Sequence, residues 1–379
     1  MTNPDQIIQQ GMQALQQGQP AHAKELFTNL INSGVENASL WLAVAYANRD
    51  LSDHEGMLKA AEKSYDLENR NPRALVLKGD YYYQAQKQHS AASFYLKALN
   101  IAPKGNQIPP DLAPEIQRAQ QRYQTITQSY QDTLVKTMDD AFKNTEGDAR
   151  RVQIALDFIL GKKQPYLQQP KNFYFPELPN VEFADITDYD WVEELEQQTD
   201  AIRDELINLI NHHNDFKPYI TGNKARSITD RHNLIDNDDW SALFLYQGGE
   251  RQDTYADLCP NTMAALEKTP LCQAPGVSPN IMFSKLKAGF KIPPHNGRYN
   301  TRFICHLPLI VPEGCHFRVG NSQRQWSEGK LWVFDDSIEH EAWNDSDQDR
   351  YILLFDIWRP ELSDSEKSLI STLISSLSD

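Results

Sequence analysis

The chain has 379 residues, 40% of them hydrophobic, which is enough for two or three domains with cores of their own. A formal charge of −15 excludes a nucleic-acid surface, which needs clustered cations, and leaves basic peptides compatible as partners. No apolar run reaches 18 residues, so no membrane span is expected; the polar start MTNPDQIIQQGMQ has no basic-then-apolar leader, so the expected location is cytoplasmic.

Residues 1–103 have a helical pattern that repeats. With Pro4, Ala38 and Pro72 as first positions the period is 34 residues. The third repeat places Gly79, Tyr82, Ala91, Tyr95, Ala98 and Pro103 in a small, aromatic, small, aromatic, small, proline order. The first carries Gly11, Ala14, Ala23 and Phe27. The second carries Trp41 and Ala45, then reads as slipped by about four residues near 51–54 before Ala61 and Tyr65. Small residues let two antiparallel helices approach, and aromatics fill the gap to the next pair. The stretch resembles a tetratricopeptide array of about three repeats, with a plain helical bundle as the alternative. By analogy such an array implies a peptide or protein partner.

Residues 104–110 break this pattern with Pro, Gly and Asn, and two polar helices are expected over 111–145 and 148–161 as capping and connecting elements. The expected domains are thus 1–103 (helical repeats), 104–163 (connecting helices) and 164–379 (a β-rich domain). Residues 164–179 (QPYLQQPKNFYFPELP) read as an extended lead-in. Residues 190–212 are amphipathic, with Trp191, Leu195, Ile202, Leu206 and Leu209 at helical spacing, as suits a helix on the outside of a sheet. Strands are expected at 240–246, 281–286, 302–309, 315–319, 330–334 and 351–357, and a short helix within 259–270. The expected fold class is α+β in two domains, the second a small β-barrel or jelly roll. The four cysteines (Cys259, Cys272, Cys305, Cys315) lack Cys-x-x-Cys spacing and read as free thiols. Cys259 and Cys272 would pair only in an exported chain.

Histidines sit at the ends of these strands: His295, His306, His316 and His340. Neutral imidazoles at His295 and His340 suit Fe(II), Zn(II) or Cu(II), and strand ends at the open mouth of a β-helix can meet. The sequence after the first is His295-Asn296-Gly297, so the carboxylate of the usual facial triad is missing. Satisfied core histidines are the plain alternative. Arg350 opens an apolar strand, YILLFDIW. A buried guanidinium there either clamps an anion, with His306 as a second donor, or pairs with Asp347, Asp349 or Asp356. His316 reads as a surface strand residue, Cys305 as core, and Glu339 and Glu341 as pointing away from His340. Asp335 and Asp336 read as turn residues with a part in holding the His340 tautomer. His212 and His213 end a helix, where cations favour the carbonyl dipole.

Together these motifs carry a resemblance. Pro-His-x-Gly at 294–297, a second His eleven residues after the first, EGxxxxFDDSxEHEAWN from Glu328, and an Arg ten residues after His340 resemble the aspartyl/asparaginyl β-hydroxylase family. The similarity is strongest over 281–362 and extends more weakly back to about 172. It implies a double-stranded β-helix (jelly roll, cupin-like) with flanking helices. It also implies an Fe(II)- and 2-oxoglutarate-dependent dioxygenase that consumes O2 and releases succinate and CO2. In that family two histidines hold the iron and glycine stands where the acid would be. The resemblance therefore implies His295 and His340 as metal ligands, His306 and Arg350 as binders of 2-oxoglutarate, and Ser284 and Trp240 in the cosubstrate pocket. Arg302 matches one of two substrate arginines; the second position is Ile304 here, a departure that opens the question of substrate. The implied substrate is a peptide or protein side chain. A small molecule or lipid acyl chain, and a repeat-bearing scaffold with an inactive β-helix, are the alternatives.

Overall fold

Six helices begin at Pro4, Pro20, Ala38, His54, Pro72 and Gln88, so that both the first and the second helix of each pair recur every 34 residues. They are α1 (Pro4–Gln16), α2 (Pro20–Asn32), α3 (Ala38–Asp50), α4 (His54–Leu67), α5 (Pro72–Gln84) and α6 (Gln88–Ile101) in a computed structural model that describes residues 4–221 and 234–377. Pro20 and Pro72 open their helices where no amide partner is needed. Asn37, Asp53 and Asn71 cap theirs by accepting from the amides of Leu40, Gly56 and Arg73. Gly11 lies flat on the Phe27 ring and Gly79 on the Tyr95 ring; a Cβ at either glycine would overlap the aromatic.

The slip expected near 51–54 is absent. The middle repeat keeps its period and exchanges bulk instead: Met57 takes the place of Ala23, and Ala61, facing Ala45, takes the place of Phe27. Volume is conserved across the pair, so the helices keep their spacing while the aromatic signature vanishes.

The chain divides into two compact units, 1–153 and 154–379. The long α7 (Ala113–Lys143) packs on α5 and α6 and belongs to the first unit. Its attachment is polar as well as apolar. Buried Asp80 accepts from Tyr95 Oη (2.8 Å), Arg118 (2.9 Å) and Arg122 (2.6 Å). Helix α8 (Arg150–Ile159) spans the division.

In the second unit the single helix expected over 190–212 is two, α9 (Val192–Gln197) and α10 (Thr199–His212). Then come β1 (Lys217–Pro218), β2 (Trp240–Gln247), β3 (Glu250–Arg251), α11 (Asp253–Ala256), α12 (Pro260–Leu266), β4 (Ile281–Leu286), β5 (Lys291–His295) and β6 (Arg302–Ile310). They are followed by β7 (Cys315–Val319), β8 (Ser322–Gln325), β9 (Trp332–Phe334), β10 (His340–Asn344), β11 (Arg350–Trp358) and α13 (Asp364–Ser376). One antiparallel sheet runs β1-β2-β4-β11-β6-β9, with β3 on β2; a second runs β5-β10-β7-β8. Alternation sorts the large sheet's side chains to two faces. Leu243, Phe283, Phe303, Leu307 and Phe355 meet Leu195, Ile202 and Leu206 of the helices. Trp240, Leu286, Ile304 and Trp332 face the small sheet, meeting Ile292, Phe317, Val319 and Ala342. All four cysteines are buried free thiols, so Cys259 and Cys272 are not paired.

Candidate active site

The pairing of β5 with β10 sets His340 directly opposite His295. Their ring centroids are 4.1 Å apart. Each ring is held in the same way, by the backbone carbonyl two residues upstream: His295 Nδ1 donates to Pro293 O (2.8 Å) and His340 Nδ1 to Ile338 O (2.9 Å). With both Nδ1 protons committed, the two Nε2 lone pairs are the remaining ligating groups. Burial and the neighbouring His295 hold His340 well below the ordinary histidine range, so it is neutral. The carbonyl of Ile338, and not Asp335 or Asp336, therefore fixes the His340 tautomer. Among the described residues no set of three or more His, Cys, Asp or Glu side chains converges as a metal cluster.

A second polar pair lies on the inner face of the large sheet. Arg350 opens β11 and is 2% exposed, and His306 on β6 is 6% exposed. Neither Arg350 Nε nor His306 Nδ1 has a hydrogen-bond partner. The salt bridge considered for Arg350 is absent, since Asp349 pairs with Lys285 (3.1 Å) and Asp356 with Arg302. The guanidinium instead lies 4.8 Å over the Trp326 ring, while His306 is 4.8 Å from Phe334 and 5.2 Å from Phe317. Burial pushes the Arg350 pKa down to about 10 and that of His306 well below its usual value, with Arg350 as the second cause. A buried donor without a partner costs about 1–3 kcal/mol. Two on one face describe a cradle for an anion with two oxygens.

Trp240, Leu286 and Arg350 form one row across β2, β4 and β11, with Ser284 two residues along on the same face and 2% exposed. Trp240 is 6.0 Å from His295 and stacks on Tyr219 at 4.4 Å. The structure thus brings His295, His340, His306, Arg350, Ser284 and Trp240 to the interior between the sheets.

Arg302 shares that face but is already engaged. Its guanidinium donates to Asp356 and to Ser278 Oγ, and lies over Tyr299. Asp356, 1% exposed, also accepts from Ser278 Oγ and the Asn280 amide. A substrate anion would have to compete with that carboxylate for Arg302, whose Nε alone is buried without a hydrogen-bond partner. His316 stacks on Trp343 (5.3 Å) on the outer face of the small sheet. Glu339 and Glu341 pair with Arg318 there, away from His340.

Sequence reasoning missed Trp326, Phe317 and Tyr219, and weighed Asp356 as a partner of Arg350 rather than of Arg302. Strand alternation carries the signal for Phe317 and Asp356, which fall at even steps from Cys315 and Arg350; Trp326 lies beyond β8, where no periodicity places it.

Residues 196–360 match the family model described as aspartyl/asparaginyl beta-hydroxylase. The chain is 35% identical over 182 residues to the aspartyl/asparaginyl beta-hydroxylase of Mus musculus, covering 46% of this chain and 22% of that protein. It is 33% identical over 192 residues to the ornithine lipid ester-linked acyl 2-hydroxylase of Rhizobium tropici, covering 50% and 64%. It is 28% identical over 212 residues to aspartate beta-hydroxylase domain-containing protein 2 of Homo sapiens, covering 55% of each. The chain spans less than two thirds of the length of each of these relatives. Among solved structures, the Arabidopsis OM64 TPR domain aligns at 18% identity over 32% of this chain and 94% of that one, with a TM-score of 0.29.

Proposed function

Residues 196–360 carry an aspartyl/asparaginyl β-hydroxylase family domain, and on that premise we propose that the chain is an Fe(II)- and 2-oxoglutarate-dependent dioxygenase that hydroxylates a side chain of a peptide or protein. The observation that carries this reading is the pairing of two histidines that both turn Nδ1 to a backbone carbonyl, beside a buried Arg350 and His306 whose Nε and Nδ1 atoms have no hydrogen-bond partner among the described residues. The donor set suits the groups. Two neutral imidazoles suit Fe(II), and a guanidinium with an imidazole N–H suits the distal carboxylate of 2-oxoglutarate. The residues lie between two antiparallel sheets, in keeping with a double-stranded β-helix.

When bound, iron and 2-oxoglutarate supply the oxidising chemistry: one oxygen atom of O2 enters a substrate C–H bond, the other enters succinate, and CO2 leaves. The chain's own residues orient and shield. Pro293 and Ile338 hold the imidazoles in register. Arg350 and His306 would hold the distal carboxylate of the oxoacid. Trp326, Phe317 and Phe334 keep water from that cradle, which strengthens both donors. Trp240 and Tyr219 form the wall beside His295.

The helical repeats favour a polypeptide substrate. The acyl 2-hydroxylase relative favours a second reading, hydroxylation of a lipid acyl chain. An inactive scaffold is disfavoured, because a dead site would gain stability by losing Arg350. The location we propose is the cytoplasm; no described helix is long and apolar enough to cross a membrane. Anaerobic titration with Fe(II) and 2-oxoglutarate tests the proposal. A weak metal-to-ligand charge-transfer band is expected, lost in His295→Ala and His340→Ala, and its absence from the intact protein rejects the assignment. A pull-down on the repeats, with mass spectrometry for one added oxygen atom, separates polypeptide from lipid substrates.

A further inference from the structure

On the inner wall Arg302 is engaged by Asp356 and Ser278, with its Nε alone unpartnered, and Arg350 faces the proposed oxoacid. The rim carries two further cations. The extended segment before the first strand is strapped along the loop that follows His295: the Lys171 amide donates to Gly297 O (2.9 Å) and the Asn172 amide to Arg298 O (3.0 Å). This brings the exposed Lys171 and Arg298 close enough for their charges to interact, beside the proposed metal ligand His295: Lys171 bonds the residue two after it, and Arg298 is the third after it. Among the described residues neither has an acidic partner within 4.0 Å. Lys171 is drawn down from the usual lysine range by partial burial and then by Arg298, against the pull of Asp336, and its charge reaches His340. Arg298 in turn acts on Tyr219, which stacks on Trp240 beside His295. Two like charges held together on an exposed rim, one partly desolvated, repel each other until an anion joins them.

We propose that Lys171 and Arg298 are the specificity-determining pair for substrate, binding an anionic group, carboxylate or phosphate, on a peptide whose neighbouring carbon is hydroxylated. This rests on the oxygenase reading for the chemistry but not for the binding. It moves anion recognition from strand β6, where Asp356 already engages Arg302 and Ile304 carries no charge, to the strap and the loop after β5. The pair differs in kind from Arg302: exposed until occupied, and dependent on the strap for its spacing.

The test uses the full chain and three fluorescein-labelled peptides of one sequence whose central residue is Asp, phosphoserine or Asn, followed by anisotropy. The wild type is expected to bind the Asp or the phosphoserine peptide about tenfold more tightly than the Asn peptide, as charge-assisted hydrogen bonds supply. Which of the two is preferred distinguishes carboxylate from phosphate. The Lys171→Ala/Arg298→Ala variant is expected to lose the preference, and Lys171→Arg/Arg298→Lys to keep it; thermal unfolding checks that each variant folds. Equal binding of all three peptides by the wild type, binding of none, or a preference that survives the double alanine variant overturns the inference. The charge-transfer band of the wild type is read on the same sample. A missing band with the anion preference intact rejects the oxygenase reading alone, and a band without the preference rejects this inference alone.

Discussion

The carboxylate of Asp336 fills the space that a side chain on residue 297 would need. A Cβ built on Gly297 overlaps all three carboxyl atoms of Asp336, and the Gly297 amide donates to the Asp336 carbonyl at 2.6 Å. Glycine is thus enforced by packing at the place where the usual His-x-Asp/Glu facial triad carries an acid. Gly297→Ala is expected to lower stability by about 1–3 kcal/mol through overpacking, and Gly297→Asp by more, since it adds a charge beside a buried carboxylate. Thermal unfolding of each, alone and combined with Asp336→Ala, checks this. The combination with Gly297→Ala is expected to recover part of the loss, showing that the two sites couple.

Arg350 is a buried cation without a carboxylate. Replacing it, where it lies over Trp326, by Met, which has similar length, removes an uncompensated charge. The metal-free Arg350→Met protein is expected to unfold at the same or a higher temperature than the wild type. It is also expected to lose the stabilisation that 2-oxoglutarate gives in the presence of Fe(II). A lower melting temperature with 2-oxoglutarate stabilisation retained would contradict the clamp.

How far the sequence reached follows from what each residue depends on. His295 and His340 were legible because strand ends are marked by local turn residues. The match of β5 and β10 was not, since Lys291–His295 has two prolines and His340–Asn344 mixes charge with Trp343, so neither shows a period-2 pattern. Arg350 was legible as an oddity in an apolar strand, yet the choice between clamp and ion pair needed the partner of Asp356. Arg302 could not be read at all, because its pairing with Asp356 spans two neighbouring strands whose register no local signal fixes. In the repeats, Met57 and Ala61 hid a perfect period by exchanging bulk between neighbouring positions.

Arg359 and Asp335 form an ion pair at 2.8 Å with both side chains fully buried. Asp335 is completed by Gln168 Nε2 (2.7 Å) and Ser337, and Arg359 by Pro179 O (2.7 Å) and Glu361. The pair therefore ties β11 to both ends of the strap that carries Lys171. Arg359→Met leaves a buried carboxylate uncompensated, at a cost of about 3–5 kcal/mol. The expected result is a lower melting temperature and faster proteolysis within residues 164–179. Arg359→Met/Asp335→Asn should restore much of the stability, and cleavage in the strap no faster than wild type in the single variant would show that the tie lies elsewhere.

Burial pushes the Asp336 pKa up to about 7, opposed by Arg302 and reinforced by Asp335. In the unfolded chain the same group titrates near 3.8. Between these values the folded protein holds a proton that the unfolded chain has lost, so this group's contribution is full below the unfolded value and disappears as pH rises to about 7. His306 and His340 act in the opposite sense: held neutral by burial, they cost stability as pH falls below the unfolded histidine value. The isolating comparison is wild type against Asp336→Asn, both metal-free in chelator, because the histidine contribution is common to the two. The variant is expected to match the wild type near pH 4.5 and to gain on it steadily, melting on the order of 5–10 °C higher by pH 8. A difference in melting temperature that stays flat across that range would mean that Asp336 is ionised in the folded protein throughout, with its charge balanced by Arg302 and Lys171.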